Sequence, residues 1–132
     1  MAESSQTAST PRPVSVLVVD DEAAVADVVA GMLEDLGCLV ETRGDVSSAI
    51  ERLVAGPLPE LVLSDVRMPG PQNGIDLARF VRRRFPHIPF AFMSGFPGGD
   101  FEEANVVLLC KPVTDQMLAG LVAQVRQAVS TS

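Results

Sequence analysis

Five polar residues stand just beyond short apolar runs. Asp20 and Asp21 follow Val14–Val19, Asp65 follows Leu61–Ser64, Ser94 follows Ile88–Met93, and Lys111 lies just past Val106–Leu109. If those runs are parallel strands, all five side-chain types gather at one edge of a sheet, outside its carboxyl ends. Three carboxylates there repel one another, and a bound divalent cation is the simplest relief. Hard oxygen donors with positions left for water and a phosphate oxygen suit Mg²⁺. The Lys111 ammonium and the Ser94 hydroxyl both suit an anion. Acid, metal, hydroxyl and ammonium in one place read as phosphoryl transfer to a carboxylate. Capping of the next helix explains Asp20 equally well when it is taken alone. It does not explain five such residues at successive strand ends. Pro112 fixes the chain directly after Lys111, and the Lys111–Pro112 bond is one that can adopt the cis form.

The elements that would position these groups are legible in the hydrophobic period. Val14–Val19 (VSVLVV) is a β-branched run with the pattern of a strand buried on both faces. From Glu22 to Leu36 the spacing changes to threes and fours, with Val25, Val28, Val29, Met32, Leu33 and Leu36 as the apolar stripe and Gly37 as the stop. Cys38–Thr42 is a second strand. Asp45 caps a helix carrying Val46, Ala49, Ile50 and Leu53 that ends near Gly56 and Pro57. After the third strand, the turn-rich MPGPQNG (Met68–Gly74) feeds a helix over Ile75–Arg84. Strands at Ile88–Met93 and Val106–Leu109 follow, then a helix opened by Pro112 and Thr114 and carrying Met117, Leu118, Leu121, Val122, Val125 and Val129. Strands alternating with helices imply right-handed crossovers and a parallel sheet covered on both faces. One connection is too short for this scheme. SGFPGGDFEEAN, between Met93 and Val106, holds three glycines and a proline, which leaves room for at most one turn over Asp100–Ala104.

Composition bounds the rest. A chain of 132 residues fits one domain able to bury its own core. Seventeen acidic against ten basic residues give a net charge of −7, which disfavours nonspecific binding to nucleic acid or to an anionic membrane. No apolar run approaches the length of a membrane span, and residues 1–13 lack the apolar core of a secretory signal. Two cysteines do not make a disulfide framework, so a reducing, cytoplasmic setting is expected. The Ser/Thr-rich residues 1–13 are expected to be a disordered tail, with the folded domain over 14–130.

The motifs VLVVDDE (Val16–Glu22), LVLSDVRMPG (Leu61–Gly70), NGIDL (Asn73–Leu77), FMSG (Phe92–Gly95) and CKP (Cys110–Pro112) together resemble the receiver domains of two-component response regulators. The resemblance covers about Ser15 to Val129. It implies an α/β, flavodoxin-like, doubly wound domain with a five-stranded parallel sheet in the order 2-1-3-4-5. It further implies that Asp65 accepts a phosphoryl group from a histidine kinase. Asp21 and Asp65 would bind Mg²⁺ directly, Asp20 largely through water, and Arg67 through its backbone carbonyl. Lys111 would pair with the phosphoryl oxygens, and Ser94 would hydrogen-bond to them. On this resemblance the domain catalyses its own modification and slow resetting without being a turnover enzyme in the ordinary sense.

A narrower resemblance joins PFAFMSGF (Pro89–Phe96) to the PFxFATG(G/Y) receiver subgroup. Its members tend to stand alone, work with HWE-type histidine kinases and have a shortened or dynamic fourth helix. The short Ser94–Lys111 segment agrees with it. Two departures are plain. Leu108 stands where most receivers have a switching aromatic, and MPGPQNG is one residue longer than the usual spacing. Phe96 and Phe101 fall in the irregular segment, where one of them is a candidate partner contact. The length leaves no space for an output domain, so output through a downstream protein partner is expected. Two rivals are a degenerate receiver that signals by binding alone and a small phosphohydrolase. The intact set of five argues against the first, and the lack of room for a substrate cap and separate general acid argues against the second. His87 and the run Arg82–Arg84 read as solvent-exposed, and Cys110 as packing on a buried strand.

Overall fold

The structure is a computed structural model in which residues 12–68, 70–95 and 107–131 are described. Its elements follow in chain order: β1 (Ser15–Val19), α1 (Ala23–Asp35), β2 (Leu39–Arg43), α2 (Val46–Ala55), β3 (Leu61–Asp65), α3 (Gly74–Arg84), β4 (Phe90–Ser94), β5 (Val107–Cys110) and α4 (Asp115–Thr131). The sheet has five parallel strands in the order β2-β1-β3-β4-β5. This is the flavodoxin-like, doubly wound architecture expected, with four helices among the described residues. The expected disordered tail lies outside the described residues as far as residue 11. The segment expected to replace a crossover helix lies outside them over residues 96–106, together with Phe96 and Phe101.

Period-two alternation divides the core between the two faces of the sheet. Val16 and Val18 of β1 pack with Ala26, Val29 and Leu33 of α1 and with Leu118, Leu121, Val122 and Val125 of α4. Leu17 and Val19 face the other way, onto Val46, Ala49 and Leu53 of α2 and Leu77, Ala78 and Val81 of α3. Covered on both sides, the central strands β1, β3 and β4 are almost wholly buried. The edge strands are not. β5 is only half-buried, so Cys110 is half-exposed instead of packed inside a buried strand. The α1 stripe is likewise narrower than its apolar residues suggest, since Val28 is 63% exposed.

Local chemistry sets the helix ends. The Asp45 side chain accepts from Ser48 N–H at 2.7 Å, the cap expected for α2. At the end of α1, Gly37 adopts φ +89°, Gly37 N–H donates to Glu34 C=O and Cys38 N–H donates to Leu33 C=O. That pair of bonds is a Schellman stop, and it requires the left-handed residue that glycine supplies. α3 starts with a capping box. Asn73 Oδ1 accepts from Ile75 and Asp76 N–H, while Asp76 Oδ2 accepts from Asn73 N–H at 2.9 Å.

Candidate functional site

All five strands are parallel in the order β2-β1-β3-β4-β5, so their carboxyl ends share one edge, and the side chains at or just past the ends of β1, β3, β4 and β5 are brought together there. Asp20 directly follows β1 and is 2% exposed; Asp65 is the last residue of β3. Asp21 is exposed at the rim. One oxygen from each of these three carboxylates lies within 4.8 Å of the others. Lys111, which follows β5, extends its ammonium to 3.4 Å from Asp65 Oδ2 and 3.5 Å from Asp20 Oδ2. Ser94, the last residue of β4, is buried, and its carbonyl accepts from Lys111 N–H at 2.7 Å. That bond ties the ends of β4 and β5 together at the two residues expected to touch a phosphoryl group. The Lys111–Pro112 peptide is cis.

Asp20 is not the cap of α1, whose N-cap is Glu22 with no side-chain cap bond. Its Oδ1 accepts from Glu22 N–H at 2.9 Å, a local turn ahead of α1. Its Oδ2 is buried without a hydrogen bond, the ammonium of Lys111 standing at ion-pair distance only. A buried anionic oxygen without a hydrogen bond is costly. Next to two further carboxylates it marks a position suited to a small, hard cation. The residues present therefore fit Mg²⁺, with Asp20, Asp21 and Asp65 as the oxygen donors.

Burial pushes the Asp65 carboxyl above its ordinary range, Lys111 draws it back down, and the nearby Asp20 charge raises it again. Arg67 contributes its backbone N–H to the Asp65 carboxylate, while its side chain is exposed. Burial works against the charged form of Lys111, but Asp65 and Asp20 outweigh it and hold the ammonium above its ordinary value. Lys111 is thus a fixed positive charge at neutral pH. Behind it lies an apolar cavity of about 530 Å³, lined by Val25, Val28, Val29, Met32, Met93 and Pro112 among others.

Asp20, Asp21, Asp65 and Lys111 are within reach of one another, and Ser94 and Arg67 stand in the segments bordering them. Two features escaped the sequence reading. Ser64, wholly buried, donates its hydroxyl to the Asp65 carbonyl at 2.8 Å, and Gly74 packs directly beneath that carbonyl. An Asn–Gly–x–Asp pattern is a signal for a helix start at Asn73, but nothing in it says what the helix start touches. His87 and Arg82–Arg84 lie at the surface away from these residues, as expected. Leu108 packs against the core cluster that holds Phe90 and Phe92.

The response regulator receiver domain family model matches residues 16–118. A nitrogen assimilation regulatory protein, NtrX of Azorhizobium caulinodans, is 33% identical over 90 residues, covering 67% of this chain and 19% of that protein. The probable transcriptional regulatory protein TcrX of Mycobacterium tuberculosis is 32% identical over 112 residues, covering 85% of this chain and 41% of that protein. The chain therefore spans about a fifth to two fifths of these relatives. Among solved structures, a response regulator receiver protein from Sinorhizobium medicae superposes with a TM-score of 0.79 at 30% identity, covering 88% of this chain and 96% of the other. The receiver domain of the hybrid histidine kinase CckA gives a TM-score of 0.71 at 33% identity, covering 84% and 97%. The chain belongs to the response regulator receiver domain family.

Proposed function

We propose that this receiver domain takes a phosphoryl group from a histidine kinase onto Asp65 and so acts in two-component signal transduction. The observation that carries the proposal is the convergence of Asp20, Asp21 and Asp65 with the Lys111 ammonium at one sheet edge. An Asp65 carboxylate oxygen forms a bond to phosphorus as the P–N bond of a phosphohistidine breaks. The electron pair leaves on the imidazole nitrogen, which then takes a proton from water. Lys111 offsets charge on the transferring oxygens, and Ser94 donates a hydrogen bond to them after transfer. Asp20, Asp21, Asp65 and the carbonyl of Arg67 would hold Mg²⁺, which when bound neutralises charge on the phosphoryl group. Membership of the PFxFATG(G/Y) subgroup, with an HWE-type kinase as donor, is supported by PFAFMSGF and by the short span between Ser94 and Lys111. Output through a downstream protein partner belongs to the same reading, as does self-catalysed phosphorylation without substrate turnover.

Incubation with acetyl phosphate and Mg²⁺, followed by intact mass measurement, tests the site. The wild type is expected to gain one phosphoryl mass and Asp65→Asn none. A gain retained by Asp65→Asn moves the acceptor elsewhere. No gain in the wild type makes the domain a phosphorylation-independent binding module.

A further inference from the structure

Asp65 ends a central strand, and its peptide is held from two sides. Within the strand, the wholly buried Ser64 donates its hydroxyl to the Asp65 carbonyl at 2.8 Å. Below, the first turn of α3 meets the same peptide. Gly74 N–H donates to the Val66 carbonyl at 2.9 Å. A Cβ on Gly74 would overlap the Asp65 carbonyl oxygen and stand 3.0 Å from Val66 Cα and 3.1 Å from the Asp65 carbonyl carbon. Every one of these obstructing atoms is backbone, so no side-chain rotation relieves the overlap.

One of the two partners would have to move, and both are anchored. The helix is fixed at its start by the reciprocal Asn73–Asp76 capping box. Its inner face, Leu77, Ala78 and Val81, is fully buried against the sheet. The Asp65–Val66 peptide is held as well, with Val66 N–H donating to the Met93 carbonyl at 3.2 Å and Asp65 pairing with Met93 in the sheet. A side chain at position 74 therefore forces the start of α3 and the end of β3 apart, at the residue whose carboxylate stands 3.4 Å from Lys111. Small displacements of a reacting group cost large factors in rate.

We propose that Gly74 and Ser64 are positioning residues for phosphoryl transfer, registering the Asp65 peptide so that its carboxylate stays aligned with Lys111 and the other two aspartates. The inference rests on Asp65 being the phosphoacceptor. Gly74 acts by having no side chain, which lets α3 seat against the acceptor's own backbone. Ser64 acts by satisfying the acceptor's carbonyl from inside the core.

The test is the rate of phosphorylation by acetyl phosphate at saturating Mg²⁺, read by intact mass well below each variant's thermal midpoint. Gly74→Ala is expected to be about tenfold slower or worse per folded molecule, and Ser64→Ala about threefold slower. Gly31→Ala, a helical glycine with no atom within 4 Å of an added Cβ, is the control and stays within about twofold of wild type. A merely structural role would lower the midpoints and leave the rate per folded molecule unchanged. A Ser64→Ala rate within about twofold of wild type overturns the proposal, as does the same result for a folded Gly74→Ala. If Gly74→Ala does not fold, Ser64→Ala decides alone. Failure of the wild type itself to take a phosphoryl group overturns the phosphoacceptor reading, and this inference with it, and is distinguished by the unmodified wild-type mass.

Discussion

Asp65 and Lys111 have their charges tuned in opposite senses by the same enclosure. Burial opposes charge on both, yet Lys111 has two carboxylates to offset it while Asp65 has one ammonium and a competing aspartate. Before any cation binds, the ionised Asp65 is therefore a source of instability. Its folded-state proton affinity is raised, so its contribution to stability is fully present below its ordinary value of 3.8 and is lost as pH rises through the higher folded value. Asp65→Asn is expected to raise the metal-free thermal midpoint by a few degrees at pH 7, and the gain should shrink as the pH is lowered towards 4. Thermal melts in the presence of a chelator at both pH values check this. An unchanged or lower midpoint at pH 7 would show that the Lys111 pairing dominates. The residues of the site were legible because each follows an apolar run, a pattern in one dimension. The contacts of Ser64 and Gly74 were not, because they depend on how closely a helix nine residues downstream approaches a strand end.

Elements bounded by side-chain chemistry were legible to within a residue or two. Asp45 announces α2, Gly37 ends α1, and Leu118, Leu121, Val122 and Val125 of the α4 stripe are buried, whereas Met117 is exposed. Elements whose character depends on neighbours were less so. VVLL reads as a buried strand, but β5 lies at the sheet edge and is only half-covered among the described residues, which exposes part of Val107 and Cys110. The α1 stripe contains apolar residues on more of its circumference than the sheet can cover, leaving Val28 at the mouth of the cavity beside Lys111. The capping box of α3 gives the clearest prediction at this scale. Asn73→Ala removes the acceptor for two N–H groups and should destabilise the domain by about 1 kcal/mol. Denaturant unfolding, with an unchanged slope and a lower midpoint, is the expected result. Unlike Gly74→Ala, this variant adds no atom beneath Asp65.

Across the whole molecule the two ends of the sheet have separate duties. The carboxyl ends carry the acidic site. The amino ends carry a neutralised cluster in which Arg12 lies 2.6 Å from Glu60 Oε2 while Ser15 N–H donates to Glu60 Oε1 and Arg126 donates to the Arg12 carbonyl. The hydrogen bond from Arg12 comes first among the causes that hold Glu60 below the ordinary carboxylate range. A lowered folded value means that this stabilisation is complete above the ordinary value of 4.5 and is lost as pH falls through the lower one. Glu60→Gln should therefore lower the thermal midpoint slightly at pH 7 and make no difference at the acidic end of the folded range. The effect should also weaken with added salt, since Arg12 is well exposed. Melts of the two proteins across pH and salt measure it. Of the seventeen acidic residues, three meet at the site, while Asp45 and Asp76 cap helices and Glu60 closes the clasp. No described helix is long and apolar enough to cross a membrane.

The Arg12–Glu60 clasp has a practical consequence. It anchors the backbone at the start of β1, whose five residues run about 16 Å to the aspartates at the other end. Anything joined through Arg12, whether a fluorophore, a bead or a sensor chip, is attached at the pole opposite the chemistry. A biosensor built on this domain should therefore be tethered ahead of Arg12, leaving Asp65 facing the solution and open to a large donor protein.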